Sequence, residues 1–253
     1  MRFFYNYFLL CILFTLAACN SPSPLATAQL AASAPSIPGI VTVAQPFTVD
    51  SLAFPKAFGA AFLKGTTIKQ DSITYAFRLY SLGNLTSLSG KLVAGDPIVL
   101  ASLSAFSQRF PVGSFPVQLA LAKLPNDERV GFARVLFSTA HVAKWELARL
   151  PGQKPLALQD SSFYCYGVDG GMGAFIDSVT NRHLAAQGQA TWDKIFMKKP
   201  EQPDYQGYIY DFGSGNLATF LTGFGDGCYA TYIGFDAQGQ VCQLLTDFGL
   251  VVW

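Results

Sequence analysis

The residues with the clearest chemical potential are acidic side chains in glycine-rich turns. Asp169 precedes a pair of glycines, Asp226 stands between two glycines, and Asp177 follows the first of these turns closely. If the turns converge, their carboxylates could bind a hard cation or share a proton for acid–base catalysis. The interpretation that we favour is simpler, because Asp beside Gly commonly forms a turn by accepting hydrogen bonds from nearby backbone N–H groups.

A second polar set falls on strands that we predict to belong to one meander: Arg129, Arg134, Lys144 and Glu146. These side chains could line a polar pocket for an anionic ligand. They could also form a solvated ladder of cross-strand ion pairs, which contributes little stability. We favour the ladder.

Two functional hypotheses use these side chains. In the first, the protein is a binding module for a ligand or a partner protein, and its binding residues are Arg134, Lys144, Tyr166 and Tyr229. In the alternative, it is a hydrolase or lyase that uses Asp169, Asp226 and Glu146, with Arg134 or Lys144 stabilising developing negative charge.

Composition and motifs exclude several other functions. The 253 residues include 17 Lys and Arg against 16 Asp and Glu, and a net charge of +1 argues against a nucleic-acid-binding protein. The two histidines form no HExxH motif and there is no CxxC motif, so we expect no metal. The glycine-rich stretch 167–173 fits neither the dinucleotide fingerprint nor the P-loop, and we expect no cofactor.

The elements that must position these residues are mostly strands. Short alternating apolar runs separated by turn residues predict an α+β fold dominated by β, with antiparallel meanders and hairpins and one or two short helices packed on the sheet. The predicted strands cover residues 73–80, 116–122 and 129–138, and residues 142–149 continue the same meander as a strand or a short helix.

Two helices are predicted in the middle of the domain. Asp177 is a suitable N-cap for residues 178–187, and Gly188 is placed to end that helix. Thr191 could cap a second helix over residues 192–199, which Pro200 ends.

The C-terminal segment predicts a hairpin of strands 229–235 and 240–248 joined by a type I turn at 236–239. In the simplest register Gly234 lies opposite Cys242, and Leu244 shares a face with Tyr232. Both faces are apolar, so the hairpin should lie inside the sheet.

Cysteine pairing is constrained by this hairpin. The register separates Cys228 from Cys242 by roughly 20 Å, too far for a disulfide. Cys165 could bridge to either of them, or all three could be free and buried, which is the interpretation that we favour.

The N-terminus reads as an export signal. Arg2 precedes a short apolar run, and the sequence Leu16-Ala17-Ala18-Cys19 follows it. This sequence resembles the lipobox of bacterial lipoproteins. The resemblance implies a signal peptide over residues 1–18 and lipid, such as palmitate, on Cys19, so that membrane lipid is the first expected partner and the bacterial cell envelope the expected location. An ordinary cleaved signal or an uncleaved anchor is the other interpretation.

Residues 19–49 are predicted to be a tether, because residues 20–49 contain no charged side chain before Asp50 and are rich in Ser, Ala, Thr and Pro. A flexible chain of about 30 residues spans roughly 30 Å. Residues 50–253 should then form a single globular domain held off the membrane, where its partner is an unidentified envelope ligand or protein.

Several segments together resemble DUF4241, a bacterial family of unknown function: GKLVAGDP (90–97), FPV (115–117), DERVGFAR (127–134), WELA (145–148), YGVDGG (166–171), GDGCY (225–229) and TDF (246–248). The resemblance runs from about residue 85 to the C-terminus, although Ala230 stands where the family has proline. It implies a shared fold but no activity and no catalytic residues. The positions that it covers include Asp96, Glu128, Arg129, Arg134, Glu146, Asp169, Asp226 and Asp247, which could form a common polar site or buried ion pairs.

Overall fold

A computed structural model describes residues 42–44, 58–158, 162–188, 191 and 205–251. The predicted signal peptide, Cys19, most of the tether and the predicted helix 192–199 lie outside these residues. Thr42–Ala44 forms a strand paired with Ser162–Tyr164, so paired structure reaches back into the range predicted to be tether.

The described chain is an α+β fold dominated by antiparallel strands, which confirms the predicted fold class. The strands are β1 (Thr42–Ala44), β2 (Thr67–Gln70), β3 (Ile73–Ser87), β4 (Leu92–Gly95), β5 (Gly113–Lys123), β6 (Glu128–Leu136), β7 (Lys144–Leu147), β8 (Ser162–Tyr164), β9 (Tyr166–Val168), β10 (Met172–Asp177), β11 (Gly207–Asp211), β12 (Asn216–Leu221), β13 (Gly227–Tyr229), β14 (Thr231–Phe235) and β15 (Val241–Asp247). A 3₁₀ helix covers Pro97–Ser102 and an α-helix covers Ser178–Ala186.

Two sheets form the body of the domain. The larger has seven strands in the order β2-β3-β5-β6-β15-β14-β7, and the smaller has four in the order β11-β12-β10-β4. The main apolar cluster joins side chains of the larger sheet, such as Leu119 and Leu244, to side chains of the smaller sheet, such as Phe175 and Phe220. The two sheets therefore share one core.

The outer face of each sheet is covered separately. Phe58 and Phe62 pack on the larger sheet around Phe132. Leu100 of the 3₁₀ helix and Leu184 of the α-helix pack on the smaller sheet. The predicted packing of short helices on a sheet is therefore confirmed.

The Ser178–Ala186 helix begins as predicted. The side chain of Asp177 accepts a hydrogen bond from the backbone N–H of Val179 at 2.8 Å, which is the bond expected of an N-cap aspartate. Gly188 follows the helix with a φ of +79°, where a glycine costs least.

The predicted hairpin in the middle of the larger sheet is confirmed, since β5 and β6 pair from Lys123 and Glu128 outward. The prediction that residues 142–149 continue this meander was wrong. Residues 144–147 do form a strand, β7, but it pairs with β14, and both β15 and β14 lie between it and β6. An alternating pattern identifies a strand, but it does not identify the neighbour with which that strand pairs.

The predicted register of the C-terminal hairpin is correct at the turn and wrong beyond it. Phe235 lies opposite Val241, but Gly234 lies opposite Gln243, so Cys242 is an extra, bulged residue. A one-residue bulge exchanges the two faces of a strand. Leu244 therefore packs with Ile233 in the main cluster, whereas Leu245 packs with Tyr232 on the outer face. The hairpin lies inside the sheet, as predicted.

One disulfide joins Cys165 to Cys228, whose Cα atoms are 5.4 Å apart. Cys242 is free and buried. The favoured interpretation of three free cysteines was therefore wrong, while the exclusion of a bond between Cys228 and Cys242 was right. The residue that precedes β9 is joined to the middle of β13, so the disulfide reinforces the pairing of those two short strands.

Candidate functional site

The two acidic turns predicted from the sequence lie side by side. Val168 of β9 pairs with Gly227 of β13, and Asp169 and Asp226 are the residues that immediately extend this pair. The Asp226 Oδ1 accepts a hydrogen bond from the backbone N–H of Gly171 at 3.0 Å, which joins the two turns directly. Both aspartates are exposed to solvent.

Asp96 is a buried aspartate that holds the Asp169 turn through hydrogen bonds to its backbone. It is 3% exposed, and its Oδ2 accepts from the backbone N–H groups of Asp169 at 2.8 Å and Gly170 at 3.1 Å. Its Oδ1 accepts from the N–H of Ile98 at 2.8 Å and so caps the 3₁₀ helix. One buried carboxylate therefore fixes the backbone of two segments that are more than 70 residues apart in sequence.

The third segment, residues 222–227, is fixed by hydroxyl groups. The Tyr229 hydroxyl donates to the carbonyl of Gly225 at 2.6 Å, and the Thr222 hydroxyl donates to the same carbonyl at 2.8 Å. Burial raises the pKa of Tyr229, which keeps its proton available for this bond. Gly225 has a φ of +109°, a conformation that residues with a side chain rarely adopt.

Large apolar side chains surround the two aspartates. Ile98 is 63% exposed, Phe224 is 66% exposed and Val99 is 42% exposed. The Ile98 side chain reaches over Gly170 so closely that a Cβ atom there would stand 2.8 Å from its Cδ1. We refer to the side chains of Ile98, Val99, Asp169, Phe224 and Asp226 as the turn surface.

The aspartates of the turn surface form no ion pair with another described residue. Among the described residues the ion pairs are Arg78–Glu128, Arg129–Asp127 and Lys144–Glu146, and none includes Asp169 or Asp226. The Arg129 guanidinium stands 5.9 Å from the ring centroid of Phe224, but its ion-pair partner is Asp127 at 2.5 Å.

Glu146, the third carboxylate of the hydrolase alternative, lies elsewhere. It is in β7, where the Lys144 Nζ stands 2.6 Å from its Oε1. Together with Arg149 the pair lines a surface groove of about 540 Å³ against residues 155–158. Within the described part of the chain, no hydrogen bond or ion pair joins Glu146 to either aspartate. A shared three-carboxylate centre stays a prediction.

Arg134 is half-buried on the outer face of the larger sheet, apart from the ion pairs. Its guanidinium donates to the Gln118 Oε1 at 2.9 and 2.7 Å and to the Gln243 Oε1 at 3.2 Å, and it stacks 3.9 Å from the ring centroid of Phe62. Burial lowers the pKa of Arg134 to about 10. The predicted cross-strand ladder was wrong: β6 and β7 are not neighbours, Arg129 and Lys144 each pair with a residue two positions away, and Arg134 belongs to no ion pair between described residues.

The two predicted binding tyrosines lie together in the main core, whereas Arg134 packs against Phe62 on the outer face of the larger sheet. The rings of Tyr166 and Tyr229 are 6.5 Å apart in the main core, and both line a small cavity of about 30 Å³ beside Cys165. Burial raises the pKa of Tyr166, as expected for a core tyrosine. Arg134, Lys144 and the tyrosine pair are therefore in three different surroundings.

Sequence reasoning missed the supporting role of Asp96 and the exposed apolar side chains. An Asp followed by Pro is a signal for a helix N-cap, and this signal was present at Asp96 and Pro97. No comparable signal marks Ile98 or Phe224, because exposure depends on the fold. In the described ranges no cluster of three or more His, Cys, Asp or Glu is placed to hold a metal ion. In the same ranges no helix is long and apolar enough to cross a membrane.

A family model described as "Protein of unknown function (DUF4241)" matches residues 85–246. The match covers more than half of the chain and begins where the sequence resemblance does. It contains Asp96, Asp169 and Asp226, the three carboxylates that fix or line the turns. No curated protein and no solved structure matches the chain.

Proposed function

The chain belongs to the DUF4241 family, and we propose that it is a membrane-anchored binding domain of the bacterial cell envelope. Its turn surface binds a basic segment of a partner protein that also carries apolar side chains. The observation that carries this proposal is the presence of exposed Ile98 and Phe224 beside two aspartates that have no ion-pair partner among the described residues.

The composition of the turn surface favours protein recognition. Burying large exposed apolar side chains contributes about 25 cal/mol for each Å² removed from water. The neighbouring carboxylates select a partner of opposite charge and increase the rate of association. A basic segment with apolar residues satisfies both features at once.

The rigidity of the turns supports the same proposal. Asp96, Asp226 and Tyr229 fix the backbone of the three segments through the bonds described above. A surface that is already ordered loses less conformational entropy when it binds, so more of the contact energy appears as affinity.

The anchor rests on the lipobox resemblance at Leu16-Ala17-Ala18-Cys19. The disulfide between Cys165 and Cys228 supports export, because structural disulfides persist mainly in oxidising compartments. The tether would let the turn surface reach partners at some distance from the membrane.

The binding proposal is tested with the full-length protein and a labelled peptide in which lysines alternate with phenylalanine and leucine. We expect a dissociation constant of roughly 1 mM or tighter at low salt, and at least tenfold weaker binding when glutamates replace the lysines. In the double variant Asp169→Asn/Asp226→Asn the affinity should also fall at least tenfold. The Asn at 226 still provides an oxygen for the Gly171 N–H, so the charge is removed while the bond is kept.

Asp71→Asn is the matched control, because it removes one exposed carboxylate from the turn between β2 and β3, which is not part of the turn surface. Asp71 has a φ of 52°, which asparagine also tolerates. Equal affinity of the wild type and the double variant, or equal binding of the lysine and glutamate peptides, would contradict the proposal.

The anchor is tested by growing cells with an alkyne analogue of palmitate. Label should appear on the wild type and on Cys11→Ser, and it should be absent from Cys19→Ser. Label on Cys19→Ser would contradict lipidation at this cysteine.

A further inference from the structure

Asp247 is the last residue of β15 and begins a turn in which its carboxyl group accepts one hydrogen bond from the described residues. Its Oδ1 accepts a hydrogen bond from the backbone N–H of Gly249 at 2.8 Å. No Lys, Arg or His among the described residues forms an ion pair with it. A carboxyl group removed from bulk water usually has a cation or several donors beside it, and Asp247 has one donor among the described residues.

The carboxyl group lines a pocket of about 160 Å³, which we call the Asp247 pocket. Its wall is mainly apolar and aromatic, and it includes Leu147, Leu158, Phe163, Cys228, Tyr229 and Tyr232. An apolar cavity of comparable size can hold a ligand as large as benzene. The pocket therefore has room for a small organic group and one ionisable group on its wall.

The charge of the pocket depends on Asp247. Burial raises the pKa of this carboxyl group to about 7, so it is about half ionised near neutral pH and mostly ionised above it. Among the described residues, the other ionisable groups on the wall are Tyr229 and Tyr232, and burial raises the pKa of both hydroxyls. From β7, β8 and residues 157–158, the described wall residues are Leu147, Ser162, Phe163, Ala157 and Leu158, and Cys228 is held in the disulfide.

We propose that the Asp247 pocket binds a small organic ammonium ion, with the charged nitrogen against the Asp247 carboxylate and the apolar part among Leu147, Phe163 and Tyr232. A cation at this point supplies the counter-charge that the described fold lacks. Aromatic faces in the wall add a favourable interaction with an ammonium group. The site uses a carboxylate that is not part of the turn surface, whose own two carboxylates are exposed to solvent.

The same Asp-Phe-Gly turn occurs at Asp211-Phe212-Gly213, where the aspartate is exposed. Asp211 is the last residue of β11, and its Oδ1 accepts from the Gly213 N–H at 2.7 Å. Asp211 is exposed, whereas Asp247 is half-buried. The hydrogen bond to glycine therefore accounts for the aspartate in both turns. It does not account for the half-buried position of Asp247 beside a pocket.

The test is a calorimetric titration of the full-length protein with benzylammonium at pH 8.5. We expect saturable binding to the wild type and to Asp211→Asn. Binding to Asp247→Asn should be at least tenfold weaker, although the asparagine oxygen can still accept from the Gly249 N–H. The neutral analogue benzyl alcohol should bind all three proteins with similar, weaker affinity.

The pH dependence of the wild type provides a second test that needs no variant. Lowering the pH from 8.5 to 5.5 protonates Asp247, and the affinity for benzylammonium should fall at least tenfold while that for benzyl alcohol changes little. Equal binding of benzylammonium to the wild type and Asp247→Asn, no binding at pH 8.5, or affinity independent of pH would each overturn the proposal.

Discussion

The turn surface and the Asp247 pocket each hold an aspartate against a glycine N–H, but they place its charge in opposite surroundings. Asp226 bonds Gly171 on another segment and leaves its carboxylate in solvent. Asp247 bonds Gly249 in its own turn and faces an aromatic pocket. Both aspartates therefore accept the same kind of hydrogen bond. The Asp226 carboxylate faces solvent and Asp247 lines a pocket, because different side chains pack around them.

The two regions meet at the disulfide and at Tyr229, and removal of the disulfide should have the largest effect. Cys228 lines the Asp247 pocket and lies two residues after Asp226. For partners separated by 63 residues, the variant Cys165→Ala/Cys228→Ala should lose about 4 kcal/mol of unfolding free energy. Urea denaturation measures this change, and both the lysine peptide and benzylammonium should bind more weakly. A loss below about 1 kcal/mol would contradict a structural role.

Removing the Asp96 carboxylate should weaken binding at the turn surface but not at the Asp247 pocket. Asp96→Ala leaves three backbone N–H groups without their acceptor, and we expect a loss of about 2–3 kcal/mol in urea denaturation. The lysine peptide should bind at least tenfold more weakly, while benzylammonium binding at Asp247 should stay within about twofold under conditions where the variant is folded. Equal weakening of both ligands would show that the regions are not independent.

The titration of Asp247 gives a smaller effect with a defined sign. The pKa of its carboxyl group is about 7 in the folded protein and about 3.9 when unfolded, so the folded state binds more protons between these values. The contribution of this group to stability is therefore present below about pH 4 and is lost as the pH rises through 7. The full pKa difference corresponds to about 4 kcal/mol, and because Asp247 is only half-buried, solvent screening reduces the expected loss to about 1–3 kcal/mol.

The measurement is the unfolding free energy of the wild type, Asp247→Asn and Asp211→Asn between pH 4 and pH 8. The difference between the wild type and Asp247→Asn should change across this range. The difference between the wild type and Asp211→Asn should stay within about 0.5 kcal/mol, because Asp211 is exposed. A pH-independent difference for Asp247→Asn would mean that its carboxyl group is not buried in the way described.

The local features of the fold could be predicted because their causes lie within a few residues. The cap at Asp177, the glycine after that helix and the turn at 236–239 depend on neighbouring residues alone, and all three were right. The Asp236 side chain accepts from the N–H groups of Gln238 and Gln240, as a turn aspartate does.

The features that were wrong depend on contacts between distant segments. Nothing in the sequence marks Cys242 as a bulge, yet this one residue reverses the two faces of β15 beyond the turn. The placement of β7 beside β14 and the pairing of Cys165 with Cys228 likewise require knowledge of which strands are neighbours. The sequence suggested that the turns of Asp169 and Asp226 could converge. It did not predict that Asp96, more than 70 residues before Asp169, would bind the backbone of one of these turns.

The central claim is that the domain has two separate binding regions with different charge environments. The most direct test measures the affinity of the lysine peptide and of benzylammonium, each against the wild type, Asp169→Asn/Asp226→Asn and Asp247→Asn at pH 8.5. We predict that the peptide loses affinity only in the double variant and that benzylammonium loses affinity only in Asp247→Asn. Loss of both ligands in the same variant, or of neither ligand in any variant, would contradict this account.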